Sequence, residues 1–286
     1  RIEVASARVS EGEKEAVSNI TRWAKRNNCL DKVEVLGFVD GHSSVDWIVE
    51  AGCRNLNLLC KGSLKHCEGQ LGKTPEQHLQ EILQVISYAE SKRVSVNVYL
   101  EDWSNGMKNS PDYVFQLMDG LRDCGIRRFM LPDTLGILNP MQVQKFMGVM
   151  VERYPDTHFD FHAHNDYDLA VSNVYAAVLA GAKGLHTTIN GLGERAGNAP
   201  LASVQAILRD HFGAETSINE ERLNDVSRLV ESYSVDNILK LGFAVVRSGE
   251  HTLTSTRDAN IGESLTIELN DGTLTAEITS INPKTR

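Results

Sequence analysis

The chain has 286 residues, with 38 Asp and Glu against 29 Lys and Arg, for a net charge of −9. That balance argues against general nucleic-acid binding and against docking on an anionic membrane. No apolar run approaches the ~20 residues that span a bilayer, and the five cysteines form no CxxC pair, which reads as reduced thiols of a cytoplasmic protein.

Arg1-Ile2-Glu3-Val4-Ala5-Ser6 reads as a strand and not as a signal peptide. From there one unit repeats: a short β-branched run, then a longer stretch of helical period. Strands are predicted at 1–6, 33–38, 55–60, 94–100, 128–132, 158–163 and 184–189, and helices at 12–26, 44–51, 75–92, 111–124, 140–154 and 169–180. Thr74-Pro75 and Ser110-Pro111 are helix starts, and Gly52, Gly125 and Gly181 are helix stops. This alternation implies a parallel sheet with right-handed crossovers. Polar residues recur at strand ends: Tyr99 and Glu101, Asp133 and Thr134, His162 and His164, and Asn190. That favours a (β/α)₈ TIM barrel, whose chemistry sits on this rim, over an open doubly wound sheet. Seven strands are visible, so the expected fold is a barrel lacking its first strand. The acidic stretch 215–231 reads as solvated helix surface.

The pattern changes after Ser234. Short strands are predicted at 240–246, 265–269 and 274–278, with Asn270-Asp271-Gly272 as a hairpin turn. The expected organisation is a partial barrel over 1–234 and a small β-rich tail over 235–286.

The richest stretch is Phe161-His162-Ala163-His164-Asn165-Asp166. Residues two apart on a strand share a face, so both imidazoles project together, as a divalent cation requires. Further on, Asn190-Gly191-Leu192-Gly193-Glu194-Arg195-Ala196-Gly197-Asn198 forms a glycine-rich loop. Gly191, Gly193 and Gly197 permit a tight loop with close backbone approach. The loop follows a barrel strand, so it is not a dinucleotide fingerprint. Cys60 and Cys67 with His66 lack the tetrahedral partners of a zinc site.

These two motifs, with Leu131-Pro132-Asp133-Thr134-Leu135-Gly136 and Val98-Tyr99-Leu100-Glu101-Asp102-Trp103-Ser104-Asn105-Gly106, resemble the metal-dependent acyl-CoA condensing enzymes. That family holds the isopropylmalate, homocitrate and citramalate synthases and the related hydroxymethylglutaryl-CoA lyase. The resemblance covers 1–234 and is nearest to the (R)-citramalate synthases. It implies condensation of acetyl-CoA with pyruvate in branched-chain amino-acid biosynthesis. Isopropylmalate synthesis, homocitrate synthesis and a C–C lyase are the alternatives.

The resemblance makes His162 and His164 ligands of Mn²⁺, Mg²⁺ or Zn²⁺, with Asn198 completing or bordering the shell. It makes Glu101 a substrate-orienting or acid–base carboxylate, and it places Glu194 with the three glycines in the site loop. Tyr99, Thr134, Leu36 and Leu59 would line the keto-acid pocket, the two leucines leaving room only for a methyl group. Read from the residues alone, Glu101 suits a rim salt bridge, Tyr99 core packing, Thr134 a helix cap and Asn198 a loop closure. A homodimer is implied, with the keto acid and acetyl-CoA as partners. An Arg-Asp-Gly-Glu strand that the resemblance places first is not in this sequence, so weak turnover and unpaired sheet edges are expected. Residues 237–247 and 262–272 resemble the tail of the exonuclease VII large subunit, which implies a subunit-binding module as the non-enzyme alternative.

Overall fold

β-Branched and aromatic runs form the parallel strands β1 (Ile2–Ser6), β2 (Val33–Phe38), β3 (Asn55–Lys61), β4 (Ser95–Glu101), β5 (Phe129–Asp133), β6 (Phe159–Ala163) and β7 (Gly184–His186). The computed structural model describes residues 1–240 and 243–282. The seven strands lie side by side in chain order as one parallel sheet. The connecting helices are α1 (Glu11–Arg26), α2 (Ser43–Glu50), α3 (Leu64–Gly69), α4 (Pro75–Ser91), α5 (Trp103–Asn109), α6 (Pro111–Leu121), α7 (Pro140–Arg153), α8 (Ala170–Leu179) and α9 (Leu201–Phe212). Helix starts follow local chemistry: Thr74 with Gln77 and Asn139 with Gln142 form reciprocal capping boxes, each followed by a proline in the first turn.

The sheet is curled into a half-barrel. Tyr99 of β4 reaches His186 of β7, and Arg128, just before β5, reaches Glu34 of β2. Strands so far apart in order can touch only across a concave interior. The faces of the strands are sharply divided. Val35, Leu56, Leu58, Val98, Leu100, Leu131, Phe159 and Phe161 are buried in the hydrophobic core, on the face that the helices cover. The alternate residues, Glu34, Asn57, Asn97 and Asp160, are equally buried but polar. They form the interior with Glu3 and Arg128.

The contact structure divides the chain into two compact units, Arg1–Glu215 and Thr216–Arg286, so the division falls upstream of Ser234. The second unit contains α10 (Glu220–Ser232), α11 (Val235–Lys240), β8 (Val245–Ser248), β9 (His251–Thr252), β10 (Ser264–Leu269) and β11 (Gly272–Glu277). Its strands form an antiparallel sheet in the order β11-β10-β8-β9. The expected Asn270-Asp271 turn joins β10 to β11, with Leu269 paired to Gly272. The strand expected at 240–246 is corrected: Lys240 ends a helix, Leu241 and Gly242 lie outside the described residues, and β8 begins at Val245. The strand expected at 184–189 also stops early, because the chain turns into a 3₁₀ segment at Ile189–Gly191 with Asn190 at φ 56°. Among the described residues no helix is long and apolar enough to cross a membrane. All five cysteines are unpaired.

Candidate functional site

The site lies at the C-terminal ends of the strands. Strand register sets its layers: Leu36 lies opposite Asn57, Leu59 opposite Tyr99, Lys61 opposite Glu101, Pro132 opposite His162, and His162 opposite His186. Leu36 and Leu59 therefore share the inward face with the polar residues of neighbouring strands.

His162 and His164 stand together as the spacing predicts, with ring centroids 4.9 Å apart at 76°. Asn198 joins them through an isolated bridge to His164. Its Nδ2 donates to Leu192 O at 2.9 Å, which leaves Oδ1 facing elsewhere. Nδ1 of both histidines and Oδ1 of Asn198 are buried without a hydrogen-bond partner. Burying such atoms unpaired is costly, and three of them on adjoining residues fit the donor set a divalent cation takes. Burial holds His162 well below ordinary imidazole basicity, reinforced by the neighbouring His186 and His164. Burial, then the Arg195 guanidinium, does the same to His164. Neutral imidazoles are the ligating form. Among the described residues no three His, Cys, Asp or Glu side chains gather as a metal cage, which also leaves Cys60, Cys67 and His66 without one.

The glycine loop closes over this pair. A side-chain carbon on Gly193 would sit 2.2 Å from Asn198 Nδ2, and one on Gly197, at φ 87°, would sit 2.1 Å from Gly191 O. Gly191 is also at positive φ, 71°. Arg195 holds the loop down. It donates to both oxygens of Asp166, at 2.6 and 2.8 Å, and to Thr134 O at 2.9 Å. Glu194 stays outside, with its side chain 81% exposed, near Arg195 at 3.5 Å.

The remaining candidates have partners within the protein. Glu101 is paired with Lys61, a residue the sequence reading passed over. The Thr134 hydroxyl accepts the Asp102 N–H at 2.8 Å. The turn after β5 is capped instead by Asp133, whose carboxylate takes the N–H groups of Ile137 and Leu138. Asp102 is fully buried at φ 64°, a left-handed conformation uncommon for a residue with a side chain. Its carboxylate accepts from Ser63 and Asn105 at 2.7 and 2.8 Å.

Below the rim lies a network the sequence did not disclose. Arg128 donates to Asp160 at 2.7 Å, to Asn97 at 3.3 Å and to Glu34. Asn57 donates to Glu3 at 2.6 Å and accepts from Asn97 at 2.7 Å. Burial opposes ionisation of Asp160, but His186, Arg128 and His158 together outweigh it and hold the carboxyl below its usual range. Burial raises Glu3, which is only partly offset by its hydrogen bond from Asn57.

A curled parallel sheet with paired imidazoles on its C-terminal rim is the architecture of a (β/α) barrel, whose functional groups gather at that end. The sequence pattern of the HMGL-like family matches residues 1–230, and the chain belongs to that family. It is 40% identical over 169 residues to the homocitrate synthase of Sulfolobus acidocaldarius, a match covering 59% of this chain and 35% of that protein. The homocitrate synthase of Sulfurisphaera tokodaii matches equally well, again 40% over 169 residues, covering 59% of this chain and 36% of the relative. The chain thus spans about a third of the length of these relatives. Among solved structures, hydroxymethylglutaryl-CoA lyase from Pseudomonas aeruginosa superposes with a TM-score of 0.64 at 17% identity, over 82% of each chain. The carboxyl transferase domain of Rhizobium etli pyruvate carboxylase gives 0.58 at 14% identity, over 77% of this chain and 37% of the other. At these identities the two share the fold.

Proposed function

We propose that this chain carries the keto-acid site of an acetyl-CoA condensing enzyme and that its keto acid is pyruvate, giving citramalate and CoA. The observation that carries the reading is the set of unpartnered buried atoms, His162 Nδ1, His164 Nδ1 and Asn198 Oδ1. These residues would hold a divalent cation, which when bound supplies Lewis-acid polarisation of a chelated keto oxygen. Tyr99, Leu36, Leu59 and Thr134 bound the space beside it, where the leucines suit a methyl group. Glu101 takes part in proton transfer. A proton leaves the methyl of acetyl-CoA, the new C–C bond forms at the keto carbon, the former keto oxygen takes a proton, and water cleaves the thioester to release CoA.

Lys61 favours a second reading. Its ammonium lies on the rim beside Glu101, where it would suit a keto acid with a second carboxylate, in line with homocitrate synthase relatives. Calorimetric titration of Mn²⁺, with and without pyruvate or 2-oxoglutarate, tests both readings. Mn²⁺ binding that needs His162 and tightens with pyruvate supports the first. Tightening only with 2-oxoglutarate, lost in Lys61→Met, supports the second. A folded chain that binds no Mn²⁺ refutes both.

A further inference from the structure

Asp102 joins two candidates of the rim without being one of them. It directly follows Glu101, and its backbone N–H donates to the Thr134 hydroxyl at 2.8 Å. That contact is made from an uncommon turn, with φ 64° and ψ 25°, and the Asp102 side chain makes no capping bond to α5, which it precedes. Its buried carboxylate is spent elsewhere: Ser63 Oγ donates to one oxygen at 2.7 Å and Asn105 Nδ2 to the other at 2.8 Å. His66 Nε2 stands 3.4 Å from the oxygen that Ser63 occupies. The turn has no slack. Gly62 N–H donates to Glu101 O at 2.6 Å. A side-chain carbon on Gly62 would lie 2.5 Å from Leu100 O, and one on Gly106 would lie 2.0 Å from Gly62 O. The segments after β3 and β4 are thus in backbone contact, and Asp102 is anchored on both.

The bond to Thr134 has one possible direction. A hydroxyl carries one proton and two lone pairs, whereas an amide N–H can only donate. The Asp102 N–H therefore takes a lone pair of Thr134 and leaves the hydroxyl proton for another acceptor. Thr134 is half-buried just past the end of β5. Its β-branched side chain is stiff, so a bond to the oxygen fixes where the proton can point. The left-handed turn costs least in Asn and Asp, and the two donors on the carboxylate hold it in place.

We infer that Asp102 is a positioning residue: clamped by Ser63 and Asn105, it keeps its N–H on Thr134 and so presets that hydroxyl as a donor to the carboxylate of the keto acid. This deepens the keto-acid reading and rests on it. Asp102 touches no ligand itself. It acts by aiming the donor before the ligand arrives, which spares the ligand the cost of ordering it.

Pyruvate affinity for the full chain in saturating Mn²⁺ is measured by calorimetry. Thr134→Val removes a hydrogen bond to a charged group and is expected to weaken pyruvate about tenfold. Asp102→Ala loses the clamp and is expected to weaken it about fivefold. Asp102→Asn suits the same turn and still accepts from Ser63, so it is expected to stay within about twofold of wild type. In the Thr134→Val background, Asp102→Ala is expected to cost nothing further. Equal weakening in both backgrounds is what a general structural role gives, and it overturns the inference while leaving the keto-acid site intact. A wild type that binds Mn²⁺ but no pyruvate removes the keto-acid reading and the inference with it. A second measurement needs no ligand and no change at residue 102: NMR hydrogen exchange of the Asp102 amide in the full chain. Exchange that quickens at least about tenfold in Thr134→Val, and also quickens in Ser63→Ala, supports the clamp. Exchange that neither variant alters overturns it whether or not the acid binds.

Discussion

Replacing Arg128 with methionine removes a guanidinium that ties β2, β4 and β6 together through the half-barrel interior. Its partners Glu34 and Asp160 are 3% and 1% exposed, so neither can recover hydration when the cation is gone. Breaking a buried ion pair from one side costs about 3–5 kcal/mol, against a typical net stability of about 5–15 kcal/mol. For a unit of this size that corresponds to a fall in Tm of roughly 6–20 °C. The pH dependence has a definite sign. Asp160 is held below its ordinary range in the folded chain, with His186 and Arg128 overcoming the effect of burial. Its contribution is therefore present above the unfolded carboxyl pKa and disappears as pH falls through the folded one. Without Arg128 that carboxyl protonates more readily, so the gap between variant and wild type should narrow from pH 7.5 toward pH 4.5. Adding Glu34→Gln should recover part of the loss, because one of the two stranded charges goes with it. Thermal melts followed by circular dichroism read all three effects. A variant melting within about 2 °C of wild type, or strict additivity with Glu34→Gln, would refute the view that the interior is held by paired charge.

His78 offers a second pH test. It is 1% exposed and bonded to Tyr113 at 2.7 Å, and burial, then Lys73, pushes its pKa down to about 4. The unfolded chain takes up this proton first, so about 3 kcal/mol should be lost between pH 6.5 and 4. His78→Leu should flatten that slope in pH-dependent melts, and an unaltered slope contradicts the assignment. Gly197→Ala places a carbon 2.1 Å from Gly191 O, so Mn²⁺ affinity in calorimetry should fall at least tenfold while the far-UV spectrum stays unchanged. Retained affinity would show that the loop does not shape the site. Arg195→Ala removes the main cause of the depressed Asp166 carboxyl. Its pKa by ¹³C NMR should rise toward the ordinary range, and protease cleavage between Leu192 and Asn198 should quicken. A carboxyl that does not move would mean that another group holds it.

The helices and strands were largely legible because their signals are local. Thr74-Pro75 caps where capping chemistry places it, Ser110-Pro111 opens α6 although the Ser110 hydroxyl takes the Leu64 N–H instead of a helix N–H, and β2 spans the residues that its β-branched pattern marks. The imidazole pair was legible for a similar reason, since i and i+2 on a strand can only project together. What stayed hidden depends on which face of a strand points inward. Glu34, Asn57, Asn97 and Asp160 alternate with apolar neighbours, a pattern that ordinarily marks a solvent face. In a parallel sheet covered by helices no such face is available, and that conflict was the missed signal for a polar interior. Lys61 and His186 needed register as well as alternation, because each acquires its meaning from the residue on the adjoining strand, Glu101 and His162. The tail strand at 240–246 failed because an apolar run that short suits helix and strand alike.

The Arg195 clasp joins the segments that follow three successive strands: Thr134 after β5, Asp166 after β6, and its own loop after β7. Segments tied at a common point cannot fluctuate independently. Any opening that admits a ligand must either break the clasp or carry the three segments together. The loop is also pinned from below, where Asn165 N–H donates to Gly197 O at 2.9 Å, so the rim is a shutter whose side-chain clasp and backbone hinge lie on the same loop.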